Sequence, residues 1–346
     1  MVDYSSLDKF LHRLALGSRM RAEVLHDLER GTFLRSAPPD DGRHVFVCGL
    51  ARAGTTILMR EIHGSGEFGS LTYADMPFVL APNFWQRLSA NGGKAGPKAE
   101  RAHGDGIEVD FHSPEALDEV YWRIFSGGDY ILADRLVPHV PDDEQVAGYR
   151  DLIRLVLRRT GKARYLSKNN NHLLRLESLA RAFPDSVILI PVRDPMEHAR
   201  SLLNQHRRFL GSDPFTRAYM GWLGHHEFGD THRPFAWDGA AVVGDPQGLD
   251  YWLTQWSAAH QRIDALEREH DNIQLVPYHA LTSDACIWPA IARRIGIAAA
   301  PLKEIRYSPN KSAGQPPGYP TEEAGDEATR LYRRLDDRAR QSLGTA

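Results

Sequence analysis

The sequence predicts an α/β fold of three layers (α/β/α), with a central parallel sheet covered by helices on both faces. Three observations lead there. The apolar run Val45–Cys48 ends in a glycine-flanked turn, Gly49 to Gly54, which opens a helix at Thr55. A second continuous apolar run, Ser186 to Val192, lies between two helical patterns, and strand and helix signals then alternate toward the C-terminus. Continuous rather than alternating apolar strands are what a sheet buried on both faces requires.

The elements follow in order. Residues 3 to 30 carry apolar positions at helical spacing (Leu7, Phe10, Leu11, Leu14, Val24, Leu25, Leu28) and close at Gly31, which predicts one or two helices packed outside the core. A Pro/Asp/Gly turn over 38–42 feeds the first strand, and the helix after the turn runs to about His63. From Leu71 to Trp85, Pro77 and Pro82 forbid a long helix. Residues 86–110 are apolar-poor and glycine-rich, the composition of a mobile loop, and offer Lys94, Lys98 and Arg101 to an acidic acceptor or to solvent. Ser113 as N-cap and Pro114 at the first helical position predict a helix over 115–125. Helix 142–160 ends at Gly161; strand 164–167, helix 171–183, strand 186–192 and helix 195–209 follow. The last predicted elements are helix 248–270, strand 272–276 and helix 288–295. With no repeat or composition break, one domain over 1–346 is expected, with 1–40 as a helical extension, 86–110 and 211–240 as mobile or acceptor-site loops, and 301–320 as a C-terminal closing loop.

Composition narrows the functional classes. A formal net charge of −3 gives no global basic field, so a nucleic-acid partner is not expected and any anion site is local. The two cysteines, Cys48 and Cys286, have neither metal spacing nor the density of a disulfide framework, which fits a reducing compartment. Charges throughout the first thirty residues, and no run near eighteen apolar residues anywhere, predict no signal peptide and no membrane span; a cytoplasmic enzyme is expected.

The strand–turn–helix at 44–60 is an anion site by construction. Helix-start N–H groups lack intrahelical acceptors, the helix dipole favours negative charge there, and glycine lets a ligand approach the backbone. Gly49 and Gly54 have the spacing of a Walker phosphate loop, but Thr55 stands where the lysine belongs, and a cation lies inside the turn instead, at Arg52. The string G-L-A-R-A-G-T-T resembles the 5′-phosphosulfate loop of sulfotransferases that use 3′-phosphoadenosine 5′-phosphosulfate (PAPS), a family similar in fold to P-loop kinases. It is closest to the RSGTT form of the tyrosylprotein and bacterial groups, with Ala53 for serine.

Two further motifs match in chain order. Arg193 follows the second apolar run and Ser201 comes eight residues later, similar to the Arg/Ser pair that grips the PAPS 3′-phosphate in an R-[DN]-P context. Lys168 ends the preceding strand in a pattern of amphipathic helix, Phe-Pro-Asp, apolar strand and Arg-Asp-Pro that resembles bacterial sulfotransferases, where this lysine approaches the transferring group. The resemblance runs from residue 44 to about 312, with His279 where an acidic residue is common and Lys311 in a loop that closes over the 3′-phosphate in relatives.

The resemblance implies the P-loop-like sulfotransferase fold and in-line transfer of a sulfuryl group from PAPS, without a metal, to a hydroxyl or amine. The acceptor classes are a saccharide, a lipid-linked sugar, a peptide tyrosine or a small phenol. Arg52 and Lys168 are the candidates for stabilising charge on the leaving phosphate; Arg52, Ala53, Gly54, Thr55 and Thr56 for the 5′-phosphate; and Arg193, Ser201 and Lys311 for the 3′-phosphate. As base, Asp75 ranks first, with His112 and His172 behind it. His225, His226 and His232 match no metal-ligand set, and Tyr219, Trp222, Phe228 and Trp237 are either acceptor-pocket walls or core. The alternatives are a P-loop kinase or NTPase, against which Thr55 argues, and an inactive nucleotide-binding module, which has no need of both Arg52 and Lys168.

Overall fold

A computed structural model describes residues 6–89, 99–100, 108–109, 114–237, 243–299 and 322–345. Five parallel strands form the central sheet: β1 (Val45–Val47), β2 (Phe68–Gly69), β5 (Arg164–Lys168), β6 (Val187–Val192) and β7 (Ile273–Pro277), in the order β2-β5-β1-β6-β7. A separate antiparallel ribbon pairs β3 (Ala99–Glu100) with β4 (Glu108–Val109). The helices are α1 (Ser6–Leu16), α2 (Arg19–Phe33), α3 (Thr55–His63), α4 (Pro82–Ser89), α5 (Glu119–Tyr130), α6 (Asp143–Thr160), α7 (Leu176–Ala182), α8 (Pro195–Phe209), α9 (Pro214–Trp222), α10 (Leu249–Glu269), α11 (Tyr278–Ser283), α12 (Ile287–Ile295) and α13 (Glu322–Ser342). Among the described residues no helix is long and apolar enough to cross a membrane.

Strand alternation builds the three layers. Val45, Val47, Leu166, Leu189 and Val276 point to one face, where they pack with Leu58 and Ile62 of α3 and with Ile287 and Ile291 of α12. Phe46, Tyr165, Ile188, Ile190 and Leu275 point to the other, against side chains of α6, α8, α10 and α13. Both sets are buried, so the strands read as unbroken apolar runs.

The N-terminal helices form where the periodicity predicts, but part of the apolar stripe faces outward. Leu7 is 65% exposed, Phe10 60% and Leu28 56%, while the inward positions include His26 and Glu29. The reason is backbone demand from the neighbouring segment. Glu29 accepts from the amides of Asn83 (2.8 Å) and Phe84 (3.1 Å), satisfying the open N-terminus of α4, and the His26 ring lies 3.1 Å from the Leu80 carbonyl. The helix also continues through Gly31 to Phe33.

Other differences are local. No long helix spans 71–85, as Pro77 and Pro82 require, but Pro82 itself starts α4, which continues to Ser89, inside the span read as a loop. Pro114 forms an antiparallel bridge with Thr72, and α5 begins only at Glu119; the proposed cap, Ser113, lies outside the described residues. Helix α6 has both predicted ends: Asp142 shares a capping box with Gln145, and Gly161 closes it at φ 65°. The 171–183 span divides into a 3-10 turn, Asn170–Arg175, and α7. Helix α9 lies within 211–240, the span expected as a loop, and α13, which packs on α10 and β7, carried no prediction.

Candidate active site

The turn between β1 and α3 has an unusual backbone. Gly54, the N-cap of α3, has φ 99°, and Arg52 takes φ 69°, alone among the described non-glycine residues in the left-handed region. That conformation costs an L-residue on the order of 1–2 kcal/mol, and the turn is held by fixed contacts. The Ala53 amide donates to Leu50 O (3.2 Å), Arg193 Nη1 donates to Arg52 O (3.2 Å), and His198 Nε2 lies 2.7 Å from Ala51 O. Burial, reinforced by His260, Arg193 and Arg52 and opposed by the Ala51 bond, drives His198 well below the ordinary histidine range. The neutral ring therefore carries its proton on Nε2 and donates it to Ala51. Two carbonyls that would repel an anion are thus engaged by β6 and α8. The Ala53 amide is used in closing the turn, which leaves the amides of Gly54, Thr55 and Thr56 as the helix-start donors.

Sheet order distributes the cations. β1 lies between β5 and β6, with Val47 in register with Lys168 on one side and Leu189 on the other. Lys168, 8% exposed, therefore ends its strand beside the mouth of the turn, and the Asn169 amide donates to Val47 O (3.0 Å). Arg193 leaves β6 on the opposite flank. The Arg52 Nε donates to Ser201 Oγ at 3.4 Å, so α8 brings the predicted serine onto the turn. Arg193 also pairs with Glu197 (3.5 Å), which His279 approaches at 3.4 Å, and its guanidinium lies over the Tyr278 ring at 5.3 Å. The same ring bounds Gly54: a Cβ there would fall 2.4 Å from it.

Behind Lys168 lies a buried polar network. Arg175 donates to both oxygens of Glu119 (2.9 and 3.0 Å) and stacks on Trp122 and Tyr130, with both charges 1% exposed or less. Burial pushes the Glu119 carboxyl up, but Arg175 and the bonds from Tyr130 and Asn171 outweigh it and hold the group well below the usual range. Asn169 Nδ2 bridges Asp118 (3.1 Å) and Glu119 (2.8 Å), and Asn171 Nδ2 donates to Glu119 and to Gly224 O, each at 3.0 Å. Asp118 also accepts from Tyr149 (2.6 Å) and Ser167. The network fixes the chain just after Lys168 and with it the carboxyl end of β5.

The remaining predicted residues are placed as follows. Asp75 is 2% exposed; one oxygen accepts from the Thr72 amide (2.8 Å) and hydroxyl (3.2 Å), and the other pairs with Arg159 (2.9 Å). Burial raises its carboxyl above the ordinary value against the opposing pull of Arg159 and Thr72. Both oxygens are engaged in holding the 72–75 turn. His172 is fully buried, 3.6 Å from Asp118 and 3.2 Å from Arg175. His225 Nε2 lies 3.2 Å from Ala116 O, His226 is buried, and His232 meets the Tyr251 hydroxyl at 2.7 Å. Tyr219 is core, and Phe228 packs on Phe209 and Trp252. His112, Lys311, Lys94, Lys98 and Arg101 lie outside the described residues. Sequence reasoning passed over Glu119, Arg175, His198, Tyr278 and Glu227; the three asparagines directly after Lys168 were the signal available for part of this set.

Among curated proteins, none matches the sequence. The solved sulfotransferase STF9 from Mycobacterium avium is similar in structure, with a TM-score of 0.50 at 14% identity, over 87% of this chain and 76% of that one, a likeness of fold. Sulfotransferase STF1 from Mycobacterium tuberculosis aligns over 99% of this chain and 87% of its own at 17% identity and a TM-score of 0.48. The Sulfotransferase family model matches residues 44–288, which take in the phosphate turn, Lys168, Arg193 and Ser201, and the chain belongs to that family.

Proposed function

We propose that the protein transfers the sulfuryl group of PAPS to a hydroxyl or amine of a biological acceptor. The observation that carries the reading is a phosphate turn with Thr55 in place of the Walker lysine and Arg52 at its apex, set between Lys168 and the Arg193–Ser201 pair. In this reading the amides and hydroxyls of Thr55 and Thr56 hold the 5′-phosphate with Gly54, while Arg193 and Ser201 hold the 3′-phosphate, with Lys311 as a further cation. Ala53 contributes by closing the turn, its amide bonded to Leu50 O rather than offered to the phosphate.

Arg52 and Lys168 have the transition-state role. Negative charge builds on the oxygen between sulfur and the leaving phosphate as that bond breaks, and cations fixed beside it stabilise the transition state more than the ground state. The engaged oxygens of Asp75 favour a structural role for it over that of the base. The reading calls on no metal ion, and the acceptor is a saccharide, lipid-linked sugar, peptide or small molecule.

Titration calorimetry with adenosine 3′,5′-bisphosphate and with ATP tests the nucleotide; tight ATP binding with none of the bisphosphate overturns the proposal. Lys168→Ala is expected to keep bisphosphate affinity within about threefold and to lose at least about 100-fold in transfer from radiolabelled PAPS, the scale of losing one fixed transition-state donor. Full activity of that variant would remove Lys168 from the chemistry.

A further inference from the structure

The segment after α9 docks on the chain that follows Lys168. Gly224, at φ 74°, packs so closely on Glu119 that a Cβ would fall 2.8 Å from its Cγ, and the Gly224 carbonyl accepts from Asn171. Three residues on, the Glu227 carboxylate accepts from Asn170 Nδ2 at 3.0 Å. Asn170 is two residues beyond Lys168, so the fold brings a carboxylate from a distant loop to the carboxyl end of β5, beside the lysine proposed for the transfer. The group is partly buried, and Lys168 is a cation that acts on it. Burial pushes the carboxyl up, but His225, the Asn170 bond and Lys168 outweigh it and hold the group ionised below the usual carboxylate range.

Its bond to Glu227 fixes which way the Asn170 amide points, and Oδ1 of that amide is buried with no donor among the described residues. A carboxylate beside an unsatisfied acceptor suits a ligand that brings hydrogens, such as a polyol or an amine. Asp75 and His172, by contrast, are enclosed among protein partners.

We infer that Glu227 is the base that takes the proton of the acceptor, with Asn170 orienting it, an assignment that rests on the sulfotransfer reading above. As the acceptor oxygen or nitrogen attacks sulfur, its O–H or N–H proton passes to a Glu227 oxygen. The bond from sulfur to the 5′-phosphate oxygen breaks with its electron pair remaining on the bisphosphate, and the proton later leaves to solvent. No oxidant or metal enters the balance.

The test uses the full chain with radiolabelled PAPS against 2-naphthol, glucose and tyramine, and with water as acceptor (PAPS hydrolysis) where none of the three takes label. Glu227→Gln and Glu227→Ala are expected to lower turnover by about 100-fold or more, the usual range for loss of a positioned base, with bisphosphate binding unchanged. Added formate is expected to restore part of the Glu227→Ala activity, which a structural role would not show. Turnover within about threefold of wild type in both variants, or loss in Glu227→Ala with no recovery in formate, overturns the assignment while leaving the sulfotransfer reading intact. A wild-type chain that neither binds the bisphosphate nor consumes PAPS overturns both.

Discussion

Gly54→Ala probes the point where the phosphate turn meets the rest of the site. The new methyl meets two separate costs. Residue 54 sits at φ 99°, ψ 8°, which costs an L-residue on the order of 1–2 kcal/mol. Its Cβ would also lie 2.4 Å from Cε2 of Tyr278, so the ring must retreat by about 1 Å to reach ordinary contact at roughly 3.5 Å; overpacking of this kind costs about 1–3 kcal/mol. The sum is about 2–5 kcal/mol, and the two parts can be separated. In a Tyr278→Ala background only the backbone cost remains, so Gly54→Ala there is expected to cost about 1–2 kcal/mol, with the balance appearing as coupling. Binding registers the same strain, because the Tyr278 ring supports Arg193, which in turn bonds the Arg52 carbonyl. Urea denaturation of the four variants measures stability, and calorimetry with the bisphosphate measures the site. A Gly54→Ala chain with wild-type stability and affinity would refute the reasoning, and an equal cost in both backgrounds would refute the Tyr278 contact.

Arg175→Met leaves the Glu119 carboxylate buried without its cation and is expected to cost about 3–5 kcal/mol, whereas the Glu119→Gln/Arg175→Met pair recovers at least half of that; equal losses in single and double variants by urea denaturation would show that charge pairing is not what matters there. Stability in acid should report Asp40. Burial pushes its carboxyl up, but His44, the Gly42 amide and Arg150 outweigh it and bring it down to about 2. A depressed carboxylate contributes fully above its unfolded value, about 4, and that contribution is lost as pH falls from there through about 2. Asp40→Asn is expected to flatten this part of the pH–stability curve, and an unchanged curve would exclude the His44 and Arg150 pairing as its source.

Much of the fold was legible in the sequence because its signals are local. A strand buried on both faces must be apolar throughout, so β1 and β6 are plain in composition, and α6 announces both ends through Asp142 and Gly161. The phosphate turn is equally local: glycine spacing, Thr55 and Arg52 all lie within one short stretch. What the sequence misled on was orientation. Leu7, Phe10 and Leu28 make an apolar stripe on α1 and α2, yet they face outward, and the inward face mixes Ala15, Leu16, Ala22 and Phe33 with Glu29 and His26, which serve the N-terminus of α4 and the Leu80 carbonyl. No periodicity encodes a partner more than fifty residues away.

By itself, then, the sequence determined the class of fold, the anion turn with its arginine, and the strand-end positions of Lys168 and Arg193, since each depends on neighbours in the chain. Tertiary structure decided which groups converge. It placed Ser201 on Arg52 and His198 on the Ala51 carbonyl, paired Asp75 with Arg159, and laid Glu227 on Asn170 beside Lys168. Those meetings join segments tens to well over a hundred residues apart, and only the packing of helices across the sheet sets the distances on which their chemistry depends.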